Sequence, residues 1–470
     1  MPRLRRRPFG ALAAAAVVVA LAPLGATASA VEAQGPETAC SPTPENRPVC
    51  ASGAELQSAT FLDPTARVTS PGNVHLAPQV YVGPFAVLAA SAHAPITMGA
   101  ESNVQDNVRV IASAWRRAAA QAALAEAGLE QADGVQMGER VILAHGSEVR
   151  GPARLGVDSS VGEGGGDEDD ESDASGLDVE AVALGEETED SGVFLSFGAQ
   201  VDGAIIERDA QLGALSRVGP GVTLHSGFVV LPGKNVTRQE EADDPALGKV
   251  RPLTEADALF NRGVVEVNVG LAREYSRLAR EDASAVRGIN VDPGGNPFDE
   301  SRDLPTLESD LCTGPEAEVP DFRNRIIGDV CFEDSLDDLD AKMGANISIR
   351  ADEGGPFGIG VIDKMDDRVI FHALEGNDLA VGDRVSYGDR VVVHGGGRPQ
   401  IDPTTGLAAP TVVGNDVRLG ARAVVFRSML RNDTQVGFKS AVVGSETAVG
   451  QVIPDRTIYA NDKVFGPVEW

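Results

Sequence analysis

Aliphatic residues return at every sixth position over long stretches of this chain. Leu76, Val82 and Leu88 keep the beat, as do Met137, Leu143 and Val149, then Ile206, Leu212, Val218 and Leu224. Each unit carries an aliphatic residue, often Gly or Ala next, and a small residue three positions on. Hexads of this kind predict a parallel β-helix, one hexad per side and three per coil, with the aliphatic residue pointing inward and the small one fitting the corner. The beat stops and then resumes in "VGDRVS", "YGDRVV" and "VHGGGR" from Val381, and in "VGNDVR" and "LGARAV" from Val413. The expected fold is therefore an all-β solenoid with two β-helix domains.

The remaining sequence places the boundaries. Residues 1–30 combine a basic start, an apolar run and Ala28-Ser29-Ala30, the pattern of a secretory signal peptide, with a weaker twin-arginine variant in "RRPF". Export predicts an extracellular or cell-envelope (periplasmic) protein. No later apolar run is long enough to span a bilayer. Residues 31–56 read as a linker, 57–285 as the first domain, 286–324 as a Pro/Gly/Asp-rich linker and 325–470 as the second domain. A helix is expected inside the first solenoid at Arg116–Glu130, and another between the domains, at the end of "FNRGVVEVNVGLAREYSRLARED". Cys40, Cys50, Cys312 and Cys331 suit two local disulfides, Cys40–Cys50 and Cys312–Cys331, paired by proximity. The net charge is −30, and residues 158–190 hold 14 acids with no Lys or Arg. That segment reads as a solvated, disordered loop, and the acidic balance argues against a nucleic-acid partner.

Coil arithmetic aligns side chains in the second domain. Arg350, His372 and His394 each stand second in a hexad and are separated by 22 and 22 residues, one coil of about eighteen plus a four-residue insertion. They line up on one face at the ~4.8 Å strand spacing, where two neutral imidazoles can share a metal. The same face of the first domain carries Ala89, Ile111 and Arg150. There His145 and Gln105 occupy the adjoining face, where the second domain has Asp389 and Asp366. Each domain holds half of a site.

"ISIRADEG" (Ile347–Gly354), "FHALEG" (Phe371–Gly376), "VHG" (Val393–Gly395), "SNVQDNV" (Ser102–Val108), "LAHGSEVRGPA" (Leu143–Ala153) and "VVEVNVGLAREY" resemble the signature segments of the gamma-class carbonic anhydrases. The resemblance implies left-handed β-helices that associate in a trimer-like manner through their faces, and a zinc ion between subunits (iron or cobalt as alternatives). It implies a ligand set of His372 and His394 from one domain and His145 from the other. It further implies that Arg350 and Asp352 build the interface and substrate site. Asn103 and Gln105 would stand near the metal's water, and Glu353 and Glu375 would serve proton transfer. The implied reaction is reversible hydration of carbon dioxide to bicarbonate.

Three alternatives stand beside this reading. Asp389 can complete a two-His, one-Asp site if copies of the second domain associate, since carboxylate is an acceptable zinc ligand. The chain can also be a catalytically inactive structural or assembly module, or a hexapeptide-repeat acyltransferase. His75, His93 and His225 match no ligand position and read as surface residues.

Overall fold

The computed structural model describes residues 39–50, 58–112, 134–157, 191–281, 286, 289–291, 323–328, 330–353, 357–374, 377, 379–396 and 410–470. The signal segment, the helix expected at Arg116–Glu130, the acidic segment 158–190, Cys312 and Glu375 lie outside them.

Short parallel strands form six sheets, three from Val49–Pro252 and three from Ile289–Pro467. Both sets are left-handed parallel β-helices. Within each sheet, successive rungs come from successive coils, as where Ile142 and Leu143 pair with Asn103 and Val104 on one side and with Phe194 and Leu195 on the other. The hexad aliphatics stack inward. Leu62, Val82, Val104, Leu143, Leu195, Leu212 and Val230 are all buried in the first core, and Ile349, Phe371, Val393, Val425 and Val442 in the second. Corners require left-handed backbone. At Gly146, beside His145, φ is +68° and an added β-carbon would meet open space, so conformation and not room favours glycine there.

Alternation within a strand makes the outward face. Ile370 and His372 flank the inward Phe371, and Val392 and His394 flank the inward Val393. The outward aliphatics of the second solenoid (Ile370, Val392, Val424, Ala441, Ile458) bury against Ile142, Ala144, Phe194, Phe197 and Leu215 of the first. The two solenoids thus share a third apolar core.

The helix Glu255–Glu281 seals the edge of this junction. Thr254 and Asp257 cap its start reciprocally: the Thr254 amide and hydroxyl donate to the Asp257 carboxylate, and the Asp257 amide donates to the hydroxyl. Val264 and Val265 enter the shared core, while Val267, Leu271, Ala272 and Tyr275 pack on Phe61, Tyr81 and Ile327. The sequence predicted helix only at the end of this segment. Gly263 and four β-branched valines lower the intrinsic propensity, and burial of the apolar face overrides it. A second departure is the strand Ile289–Val291, which pairs beside Arg325–Gly328 in the second solenoid although it falls in the expected linker.

Cys40 and Cys50 form a disulfide, and Cys331 is disulfide-bonded as well. No helix among the described residues is long and apolar enough to cross a membrane.

Candidate metal centre

His372 and His394 are direct register partners on adjacent strands, Ile370–Ala373 and Val392–Gly395. His145 follows the strand Val141–Leu143 and turns out of the first solenoid at the corner held by Gly146. The three imidazoles meet at the junction: His145 Nε2 lies 3.1 Å from His372 Nδ1, which lies 3.2 Å from His394 Nε2. All three rings are buried. Two nitrogens bound at 2.0–2.1 Å to a tetrahedral ion stand about 3.3 Å apart, so this nitrogen cluster has the spacing of a ligand set.

The outer ring nitrogens all face polar groups. His394 Nδ1 lies 2.6 Å from its acceptor, the Gly395 carbonyl. His372 Nε2 lies 3.0 Å from Glu353 Oε1 and 3.3 Å from Asp352 Oδ1. His145 Nδ1 faces Asp106 Oδ2 at 3.7 Å and makes no hydrogen bond. Only the His394 contact is a hydrogen bond, and it fixes that ring's tautomer with Nε2 toward the cluster; carboxylates stand near the outer nitrogens of the other two. Burial, reinforced by the charge on His372, pushes His145 and His394 well below the usual histidine range. His372 is also penalised by burial and by Arg350, but Glu353 and Asp352 outweigh both and push it up to about 9. A divalent cation bound by the three facing nitrogens would disfavour a charged His372. The donor set therefore fits such a cation: three clustered nitrogens, two of them on rings without a charge of their own.

A buried charge network stands behind the imidazoles. Arg350 spans the two solenoids, donating to Asp106 at 2.9 Å and to Asp352 at 2.5 Å. Ser348 Oγ also donates to Asp106, and the Tyr275 hydroxyl donates to Asp352 at 2.5 Å. Burial alone would raise the Asp352 carboxyl, but Arg350, His372 and Tyr275 hold it well below the usual carboxylate range. A second buried bridge, Arg325 to Asp63 at 3.0 Å, joins the solenoids further along.

A cavity of about 340 Å³ opens beside the cluster. Gln105, Glu353, His372 and His394 are among its polar lining, with Glu266, Asn268 and Arg427, and Phe197, Val264 and Leu374 are among its apolar lining. Of the residues singled out in the sequence, the structure brings His145, His372, His394, Gln105, Glu353, Arg350 and Asp352 to this junction. Asn103 is buried one rung from Ile142, with both side-chain atoms unpaired, and does not line the cavity. Asp389 is elsewhere. Its carboxylate pairs with Arg368 at 2.8 Å.

Sequence reasoning missed Asp106, Tyr275, Phe197 and Asn268. Asp106 lies inside the quoted segment "SNVQDNV", next to Gln105. Tyr275 and Asn268 lie inside the quoted segment "VVEVNVGLAREY" and ride on the helix, where consistent helical spacing would also have flagged them. Phe197 lies two residues after the inward Leu195, as His145 lies two after Leu143, and its ring is 4.9 Å from that of His394.

No protein-family model matches the chain. Over 230 residues it is 27% identical to the carbonic anhydrase of Methanosarcina thermophila, a match covering 48% of this chain and 75% of that one. It is 29% identical over 130 residues to the carboxysome assembly protein CcmM of a Nostoc species, covering 26% of this chain and 23% of that protein. A hexapeptide transferase family protein from Anaplasma phagocytophilum overlaps in structure at 20% identity and a TM-score of 0.17, covering 30% of this chain and 70% of its own.

Proposed function

We propose that this chain, a gamma-carbonic-anhydrase-like pair of left-handed β-helices, is a metal-dependent carbonic anhydrase whose single site is split between its two solenoids. The observation that carries the reading is the approach of His145 from one solenoid to His372 and His394 of the other, at 3.1 and 3.2 Å between ring nitrogens. These three residues would hold the cation. Zinc is the expected ion, with iron or cobalt as alternatives, since imidazole suits all three. The cation supplies Lewis acidity, which brings the pKa of water into the neutral range.

The chain's own residues do the rest. Phe197, Val264 and Leu374 offer apolar surface to carbon dioxide and keep competing water away. Gln105, on the polar wall, orients the attacking water by hydrogen bonding. Hydration of carbon dioxide yields bicarbonate and one proton. Glu353, which faces both the cavity and His372 Nε2, receives that proton and passes it toward solvent. Glu375 was expected to share this task from outside the described residues. Arg350 and Asp352 hold His372 in place through the network across the junction. The signal-like residues 1–30 and the disulfides support an exported protein.

The similarity to a carboxysome assembly protein favours one second reading, an inactive assembly module. Metal content and carbon dioxide hydration, measured for wild type, His145→Ala and His372→Ala, separate the two. The enzyme reading expects about one ion per chain in the wild type and loss of ion and rate in either variant. Metal content and rate that do not change in His145→Ala would sink the split site. Coenzyme A binding without hydration would instead point to an acyltransferase.

A further inference from the structure

A second cavity, of about 250 Å³, lies at the junction and shares no lining residue with the first. Its charge is unlike that of the chain. Arg109 and Arg150 of the first solenoid and Arg390, Arg422 and Lys439 of the second line it, and Glu148 is the one acidic side chain among its described lining. The whole protein has a net charge of −30. Glu148 is already engaged, 3.3 Å from Arg109 and 2.9 Å from Arg150. Arg422 makes no ion pair or side-chain hydrogen bond among the described residues. Arg390 has one distant partner, Asp389 at 3.6 Å. Lys439 is buried, lies over the Trp470 ring at 3.1 Å from its centroid and donates to a main-chain oxygen of Trp470.

These cations belong to a longer pattern. Arg368, Arg390, Arg422, Lys439 and Arg456 occupy the same corner of five successive coils, each in left-handed backbone with φ between +51° and +60°. Backbone hydrogen bonds stack them: the Arg422 amide donates to the Asp389 carbonyl and the Lys439 amide to the Ala421 carbonyl. The corresponding corner of the first solenoid uses Phe85, Asn107, Gly146, Gly198, Leu215 and Gly233, all likewise left-handed and all uncharged. The conformation therefore does not call for a cation, and glycine or asparagine would meet it at less cost. Stacked like charges repel. Burial lowers Arg390 below the usual arginine range, with Arg368, Arg422 and Arg109 adding to the effect. Burial and the neighbouring arginines push Lys439 down to about 7. A negatively charged occupant would relieve that repulsion and restore full charge to the lysine.

We propose that this cavity is a binding site for a small free oxyanion of two or more charges, of the phosphate or sulfate class, held between Arg109 and Arg150 of the first solenoid and Arg390, Arg422 and Lys439 of the second. The guanidinium forks suit tetrahedral oxyanions, because each presents paired donors to paired oxygens. The occupant bridges the solenoids, so it clamps the junction away from the imidazoles' cavity.

Calorimetric titration of the full chain with inorganic phosphate tests this, with sodium sulfate in parallel and sodium chloride at matched ionic strength as control. The expected result is saturable binding of phosphate and sulfate, a rise in Tm with either, and neither effect from chloride. Arg422→Gln and, on the other solenoid, Arg109→Gln are each expected to weaken phosphate binding by about tenfold or more, the equivalent of one lost charge-assisted hydrogen bond. Both side chains reach solvent, and circular dichroism checks that both variants keep the fold. Absence of saturable binding, unchanged wild-type affinity in both folded variants, or a chloride response matching that of phosphate would overturn the proposal. The readout does not involve metal or carbon dioxide, so its failure is distinct from failure of the catalytic reading.

Discussion

The two solenoids are built on one hexad rule and differ where it leaves residues free. On the face where the second places Arg350, His372 and His394, the first has Ala89, Ile111 and Arg150. At the corner where the first places His145, the second has Asp389, turned into an ion pair with Arg368. The losses are complementary, and the junction joins the two halves that remain. Inward positions are bound by packing and stay aliphatic in both. Outward and corner positions answer to what each solenoid faces, and there the two have parted.

The contrast can be broken most forcefully at Arg350. Replacing it by Met leaves Asp106 and Asp352 buried without their cation, and about 3–5 kcal/mol of stability should be lost in urea unfolding. Arg150→Met on the other solenoid removes a half-exposed side chain and should stay within about 0.5 kcal/mol. Equal losses from the two would erase the distinction.

The shared apolar core is the next lever. Phe197 is 4% exposed and packs between His145, His394 and Phe426. Phe197→Ala should cost about 3 kcal/mol and weaken metal retention, read by dialysis against a chelator, because the cavity loosens two ligands at once.

A smaller, directional effect concerns pH in the metal-free protein. His145 and His394 resist protonation when folded, so the unfolded chain takes up more protons as pH falls through about 6.5, and stability declines there. His372, at about 9 when folded, works in the opposite sense. Its contribution is complete below about 6.5 and fades as pH rises through its folded value. Tm measured against pH in chelator should therefore pass through a maximum between these limits, and His372→Gln should flatten the alkaline side. A wild-type Tm that kept rising to pH 9 would contradict the placement of the proton.

The smallest expected effect is at Asp389. Asp389→His restores an imidazole by sequence logic, yet the side chain points to Arg368. Metal content should not change, and a second bound ion per chain would show that the second solenoid retains a site of its own.

The solenoids, the alignment of Arg350, His372 and His394, and the placement of the three histidines on two solenoids were legible because a coil repeat turns sequence spacing directly into position. What the repeat does not encode was lost. Asp106 gains its meaning only from Arg350, 244 residues away. Tyr275 reaches Asp352 from a helix whose valines read poorly as helical. The cationic corner was hidden for another reason: its residues recur at intervals of 22, 32, 17 and 17, so the insertions had to be placed before the column could be seen.

The junction also has a temporal side. His145 and His372 are separated by 227 residues, and at typical synthesis speeds the first leaves the ribosome about 10 to 45 seconds before the second. The coils of the first solenoid close locally and need not wait. Its outer apolar face (Ile142, Ala144, Phe194 and Phe197) does wait, uncovered, until the strands bearing Ile370 and Val392 have been made. Biogenesis of this chain thus contains an interval in which a finished half-molecule presents a sticky surface, and any factor that shields nascent chains would find its task there.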